Sequence, residues 1–368
     1  MRTCIVVDNL DPNAGWGRLA LKVADGITKK GHAVGFISEK KSEGIGNPNL
    51  VVPLKLSFNN ILRLPSTLLA IRTFIANYDV VLCFDVNPNG IILNLANLGQ
   101  KRKIIIHALA TYSIFGHGTP IRNLFMRWAY HRSVKNLVVS EFTKKQIEQG
   151  GFKLSKCAIV PVGVDTHVFF PLSSQQSRLP YSYILSVGAL KPRKGYHISI
   201  LAFKLATKEF PEIKYVIVGD QSMASYFDSL KKFIHEHELN DRVIFLEKIS
   251  DSELVNYYRS ASLFVLTPLT TTDAFEGFGM VYLEASACET PVIGTYDSGA
   301  EAAIIDEYNG LLVKPEPEEV SSAMQKLLHN PDLAKTFSSN GLKRSAEFDW
   351  EKVVDLYITN FNDVLKKD

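Results

Sequence analysis

Two glutamates, Glu276 and Glu284, stand eight positions apart in the segment Glu-Gly-Phe-Gly-Met-Val-Tyr-Leu-Glu. Ionised carboxylates only accept hydrogen bonds, so a pair of them suits a ligand rich in hydroxyls, such as a ribose or a hexose, and not a bare phosphate. The apolar run 263–266 lies just upstream and 292–293 downstream, with a helical pattern between. This order predicts a strand, a loop carrying Glu276, a helix carrying Glu284 one to two turns in, and a second strand. Ligands of open α/β sheets bind outside the carboxyl ends of the strands, where a helix N-terminus favours a phosphate. Carboxylates for hydroxyls beside a site for phosphate suit a nucleotide sugar. The amides of Phe278, Gly279 and Met280 open the helix and are counted with the donor-binding residues. The same spacing also fits a solvated loop acid at Glu276 and a surface helix residue at Glu284.

A second cluster is cationic. The segment 186–195 reads Ser-Val-Gly-Ala-Leu-Lys-Pro-Arg-Lys-Gly and joins the strand run 184–187 to a helix. Gly188 opens this loop and is grouped with the donor site. Lys191, Arg193 and Lys194 lie beside the helix start, where fixed cations stabilise the charge that gathers on a departing diphosphate, and need no metal to do so. A plain surface loop is the competing reading.

In the first half, Gly15 and Gly17 sit between strand 4–7 and the next helix, where backbone amides approach a phosphate or an acceptor. No Gly-Lys-Ser/Thr follows, and Ala20 breaks the dinucleotide fingerprint, so a structural turn is the alternative. His107 directly follows the run 104–106; His117, flanked by Gly116 and Gly118, competes with it for a role near an acceptor. No Asp-x-Asp occurs, His235 and His237 cannot share a helix face, and no histidine or cysteine group has zinc spacing, so no metal site is expected.

Positioning these groups requires alternating strands and helices. Runs 4–7, 34–37, 80–84, 104–106 and 137–139 are predicted strands, then 184–187, 215–218, 243–246, 263–266, 292–293 and 311–313. Continuous apolar strands alternating with helices indicate parallel sheets covered on both faces. Ser140 is placed to cap a helix over 141–150, Ser250 and Glu253 to form a capping box, and Asp349 to cap a last helix. Between 169 and 183, prolines and a Ser-Ser-Gln-Gln-Ser run mark a linker.

The segment 276–284 resembles the Glu-x7-Glu signature of retaining glycosyltransferases with the two-domain GT-B fold, specifically family 4 (group 1). The likeness continues through 285–293, although Glu289 stands where the family usually has glycine, and includes Asn309-Gly310-Leu311-Leu312-Val313, 139–143 and 160–165. It covers nearly the whole chain, strongest from Ser140 onward and weakest over 51–98. Lys194 matches a family lysine, whereas Ala189 occupies the usual arginine position, leaving Arg193 or Lys191 to substitute. The resemblance implies an α/β, GT-B protein of two doubly wound Rossmann-like domains facing a central cleft. Its domains are an acceptor-side domain over 1–172, a nucleotide-sugar domain over 173–348, and a helix over 349–368 crossing back to the first. It implies a metal-independent enzyme, with no cofactor beyond its co-substrate. A hexose-type sugar moves from a nucleotide-diphospho-sugar to a hydroxyl of a glycan, lipid-linked or small-molecule acceptor. The catalytic set is Glu276, Arg193, Lys194 and His107, with Glu284 on the ribose, and Gly15 and Gly17 in the acceptor and phosphate loop. Retention without an identifiable nucleophile implies front-face attack. A phosphorylase or epimerase of the same fold, or a non-catalytic nucleotide-sugar-binding protein in view of Ala189 and Glu289, are the alternatives.

The 368 residues, 46% hydrophobic and 21% charged, suffice for two cores. Cys4, Cys83, Cys157 and Cys288 are far apart in or beside apolar runs and read as free thiols of a reducing compartment. With no spanning run of 18 apolar residues and no signal peptide, a cytoplasmic protein is expected. Residues 1–170 hold 21 Lys+Arg against 10 Asp+Glu, a net +11, and the remainder nets −8. The basic half includes 120–135, where Arg122, Arg127, Arg132 and Lys135 interleave with Leu124, Phe125, Trp128 and Tyr130. Peripheral contact with an anionic membrane is one reading, and core packing of Trp128 and Phe125 the other; nucleic acid is not expected as a partner.

Overall fold

The computed structural model describes residues 1–12, 15–40, 46–54, 63–114, 119–154, 156–171, 181–272 and 274–366. His117 and most of the expected linker, with the expected boundary at 172/173, lie outside these residues. The chain divides into two units, Met1–Val162 with Trp350–Asp368, and Gly163–Asp349.

The first unit is built on a seven-stranded parallel sheet of order β3-β2-β1-β4-β5-β6-β7. Its strands are β1 (Arg2–Val6), β2 (Ala33–Ser38), β3 (Asn49–Val51), β4 (Val80–Phe84), β5 (Lys103–Ala108), β6 (Lys135–Val138) and β7 (Cys157–Ile159). All five residues of β4 are buried, as a parallel strand covered on both faces must be. The edge strands β3 and β7 escaped sequence reading; each is only three residues long, and neither is buried. Helices α1 (Gly15–Lys29), α2 (Leu64–Ile75), α3 (Ile91–Ala96), α4 (Pro120–Arg132) and α5 (Glu141–Gln149) connect the strands. Ser140 caps α5 by accepting from the amide of Thr143 at 2.9 Å. Strand order reverses direction between β1 and β4, the switch point of this sheet.

The second unit has a six-stranded parallel sheet of order β10-β9-β8-β11-β12-β13. These are β8 (Tyr183–Val187), β9 (Lys214–Val218), β10 (Val243–Leu246), β11 (Leu263–Val265), β12 (Val292–Thr295) and β13 (Gly310–Val313). The helices are α6 (Tyr196–Ala206), α7 (Ala224–Glu236), α8 (Asp251–Ser260), α9 (Met280–Ala287), α10 (Ala300–Ala303), α11 (Pro317–Leu328) and α12 (Pro331–Glu347). α8 starts with a complete capping box, the Ser250 hydroxyl on the Glu253 amide and the Glu253 carboxylate on the Ser250 amide. The direction reverses between β8 and β11.

The last helix, α13 (Trp350–Leu365), belongs to the first unit. It buries Val353, Val354, Tyr357, Phe361 and Val364, a helical stripe. Val354 lies over Gly26 of α1, and two ion pairs hold the ends, Lys30 to Asp355 at 2.5 Å and Lys135 to Asp363 at 3.0 Å.

Candidate active site

The loops that leave β8 and β11 flank the switch point of the second sheet, and they carry the residues that sequence singled out. The loop after β8 is pinned throughout its length. The Gly188 amide donates to the Val218 carbonyl at 2.9 Å, and the Gly188 carbonyl accepts from the Tyr196 hydroxyl at 2.6 Å. The Leu269 amide donates to the Arg193 carbonyl at 2.7 Å, and the Thr267 hydroxyl to the Gly195 carbonyl at 2.7 Å. Gly195 itself has φ +69°, and a Cβ there would fall 1.9 Å from the Thr267 carbonyl oxygen, so only glycine fits.

This pinning brings Arg193 and Lys194 onto Glu276. The Lys194 ammonium lies 2.7 Å from the Glu276 carboxylate, and the Arg193 guanidinium bonds to the same oxygen. The carboxylate is 15% exposed. Burial alone would raise its pKa, but the charges and hydrogen bonds of Lys194 and Arg193 outweigh that and bring it to about 2. Burial also pulls the Lys194 ammonium below the ordinary lysine range, opposed by Glu276. The cluster thus holds two cations against one anion, an arrangement ready for a further negative charge.

Glu276 is aimed by its backbone. The Gly299 amide donates to the Glu276 carbonyl at 2.9 Å, and a Cβ at Gly299 would lie 2.3 Å from the Phe278 nitrogen. Gly299 is a supporting residue that sequence reading missed; nothing in Ser298-Gly299-Ala300 distinguishes it from an ordinary turn. Gly279 is the N-cap of α9, Met280 its first residue, and Phe278 is buried against Phe348. Helical geometry leaves the first amides of α9 without intrahelical acceptors. Glu284 follows in the second turn and is buried, not a surface residue; the Tyr258 hydroxyl donates to one of its oxygens at 2.7 Å.

The remaining expected residues lie in the first unit. Gly15 is exposed at the start of α1, and Gly17 is buried tightly against the backbone of Asn9 and Asp11. His107 ends β5 as anticipated, and its ring is wholly buried. Nδ1 pairs with the Tyr357 hydroxyl at 2.8 Å, and the ring packs on Phe84 and Tyr357. Burial lowers its pKa to about 3, so the imidazole is neutral near neutral pH, and the ring helps seat α13.

Sequence reading also missed Asp85, which follows β4 at the switch point of the first sheet with φ +62°. It is buried and accepts from the Leu109 amide at 3.1 Å and from the Ser113 hydroxyl. Burial, with a contribution from Asp8, raises its carboxyl to about 7 against the pull of those bonds. The only available signal was an aspartate directly after a buried strand. Among the described residues no three His, Cys, Asp or Glu side chains converge to hold a metal, and no helix is long and apolar enough to cross a membrane. The four cysteines are free thiols, with Cys157 half-buried and the others buried.

Comparison with known proteins gives two family matches. The model for glycosyl transferases group 1 matches residues 172–344, and that for glycosyltransferase family 4 matches residues 14–168. An uncharacterized glycosyltransferase of Methanocaldococcus jannaschii is 30% identical over 231 residues, 62% of this chain and 60% of that protein. The chain's matches span 47% to 60% of the length of such curated relatives. Among solved structures, sucrose-phosphate synthase from Thermosynechococcus elongatus superposes with a TM-score of 0.83 at 20% identity, covering 100% of both chains. Anabaena HepE in complex with UDP-glucose gives 0.80 at 19% identity, covering 99% of this chain and 100% of that one. These likenesses establish the GT-B fold.

Proposed function

This chain belongs to the group 1 glycosyltransferases of family 4, and from that premise we propose a retaining, metal-independent transfer of a hexose-type sugar from a nucleotide-diphospho-sugar to a hydroxyl acceptor. The observation that carries the reading is the Arg193–Lys194–Glu276 cluster, where the two loops of the switch point meet. A donor places its diphosphate on the two cations and the α9 N-terminus, and the hydroxyls of its sugar on the Glu276 carboxylate. Glu284 takes the ribose hydroxyls. The fold's likeness to a protein solved with UDP-glucose supports a nucleotide-sugar donor.

The chemistry follows from the charges. The bond from the anomeric carbon to the phosphate oxygen breaks, and Arg193 and Lys194 stabilise the negative charge left on the diphosphate. The acceptor oxygen attacks from the same face, and its proton passes to the departing phosphate oxygen. A carboxylate held at about 2 is too weak a base to take that proton at neutral pH, which supports the leaving phosphate oxygen as the base.

The test has two parts. In a thermal-shift panel of sugar nucleotides, a true donor at a hundredfold its Kd stabilises by about 2.7 kcal/mol. Acceptor-dependent release of nucleoside diphosphate from that donor is then expected to survive excess EDTA. Abolition by EDTA with rescue by manganese or magnesium overturns the metal-independent mechanism. Donor binding without acceptor-dependent release makes the protein a nucleotide-sugar-binding module instead.

A further inference from the structure

The helix α4 carries the residues of both readings of segment 120–135. Its buried side is Met126, Ala129 and Tyr130. Ile121, Leu124 and Phe125 are 71%, 66% and 42% exposed, so Phe125 does not pack into the core. With half-buried Trp128 they follow the spacing i, i+3, i+4, i+7, which sets all four on one stripe, opposite the core face. An amphipathic helix that is apolar on its solvent side as well has a second apolar surface to cover.

The charges around this stripe specify what covers it. At 100° per residue, Arg127 and Arg122 fall about 60° beyond the two edges of the stripe, Arg122 on the side toward Met126 and Ala129, and Arg132 lies at its end. Arg132 stacks on Trp128 with the guanidinium 5.8 Å from the ring centre, and Arg127 on Phe152 at 5.7 Å, which holds both heads near the rim. From residue 86 to residue 140 the sequence contains seven Lys and Arg and no Asp or Glu. Lys135, which sequence reading grouped with this face, is taken by Asp363 and is not part of it. α3 packs against both α2 and α4, and Leu69 of α2 is 64% exposed, so the layer offers a further apolar contact.

We propose that the solvent face of α4 is a docking surface for an anionic lipid bilayer, with Ile121, Leu124 and Phe125 entering the headgroup region and Arg122, Arg127 and Arg132 on anionic headgroups. Apolar side chains ringed by arginine are complementary to a surface that is anionic outside and apolar beneath, whereas a nucleic acid offers no apolar layer to receive a leucine. The association is peripheral. It is independent of the transfer reaction, since the test below contains no donor or acceptor.

Co-sedimentation with vesicles of equal parts phosphatidylserine and phosphatidylcholine at low ionic strength is expected to pellet the full chain, and pure phosphatidylcholine vesicles to leave it in the supernatant. Arg122, Arg127 and Arg132 changed together to glutamine are expected to weaken binding about a hundredfold. Leu124→Ser with Phe125→Ser is expected to abolish most of it. Leu356→Ser, a change at a similarly exposed leucine of α13, leaves it intact. Thermal melts of each variant establish that the fold is kept. The proposal is overturned if the native protein stays in solution with the anionic vesicles or pellets equally with neutral ones. Loss of binding in the arginine variant alone, with the serine pair unaffected, also overturns it and points to a soluble polyanion such as nucleic acid.

Discussion

Glu276 keeps its negative charge across the whole range near neutrality because two cations outweigh its burial. Glu276→Gln retains the shape but loses charge-assisted bonds, and turnover is expected to fall more than tenfold, over about 1.4 kcal/mol of barrier. Steady-state kinetics check this; charge reversal at Lys194 should be far more damaging than at the exposed Lys191. Wild-type rates in both the Glu276 and Lys194 variants would falsify the assignment of the donor site. Asp85 gives the opposite electrostatic case. Its folded pKa of about 7 lies above the ordinary aspartate value of 3.8, so the folded state binds the extra proton. Its contribution to stability therefore falls as pH rises from about 4 toward 7. Asp85→Asn keeps an acceptor for Leu109 and Ser113, and is expected to raise the melting temperature at pH 8 by about a few degrees and hardly at all near pH 4. Melts that differ equally at both pH values would show that Asp85 is ionised in the fold. The pairing of Arg193 and Lys194 with Glu276 was half legible: residue types and order named the partners, but their meeting depends on contacts 83 residues apart. The burial of Asp85 and His107 was not legible, because it is set by side chains such as Tyr357, 250 residues from His107.

At the scale of elements, sequence reading succeeded where local chemistry decides. Ser140 and the Ser250–Glu253 box begin their helices as the side-chain rules require. The central strands were readable as apolar runs; β3 and β7 were missed because each is a three-residue edge strand with little burial. The seam between the β8 and β11 loops is the element on which the candidate site rests. Gly195→Ala forces a Cβ against the Thr267 carbonyl oxygen as well as a positive φ. It is expected to cost about 2–4 kcal/mol, read from denaturant unfolding, because two named penalties coincide at one buried position. A variant as stable as the native protein would mean that the loop can part from the 267–269 segment, and that the cations are not held in place by it.

Over the whole molecule, the sequence predicts an asymmetry of charge, +11 before residue 171 and −8 after it, and the structure gives the basic half an apolar helix face as well. Neither could be separated from core packing by periodicity alone, because the buried side of α4 is as regular as its exposed side. The route of the chain is a further property of the whole. The first unit is not contiguous: its helix α13, with Tyr357 on His107 and Val354 on Gly26, is made from residues synthesised after the entire second unit. On the ribosome, the sheet of the first unit emerges with one face of α1 bare and waits for 187 intervening residues, Gly163–Asp349, to be added. At about 5–20 residues per second that wait lasts roughly 10–40 s. The contiguous second unit can complete itself earlier, so the unit begun first is finished last, and the face of α1 that receives α13 stays uncovered in the meantime.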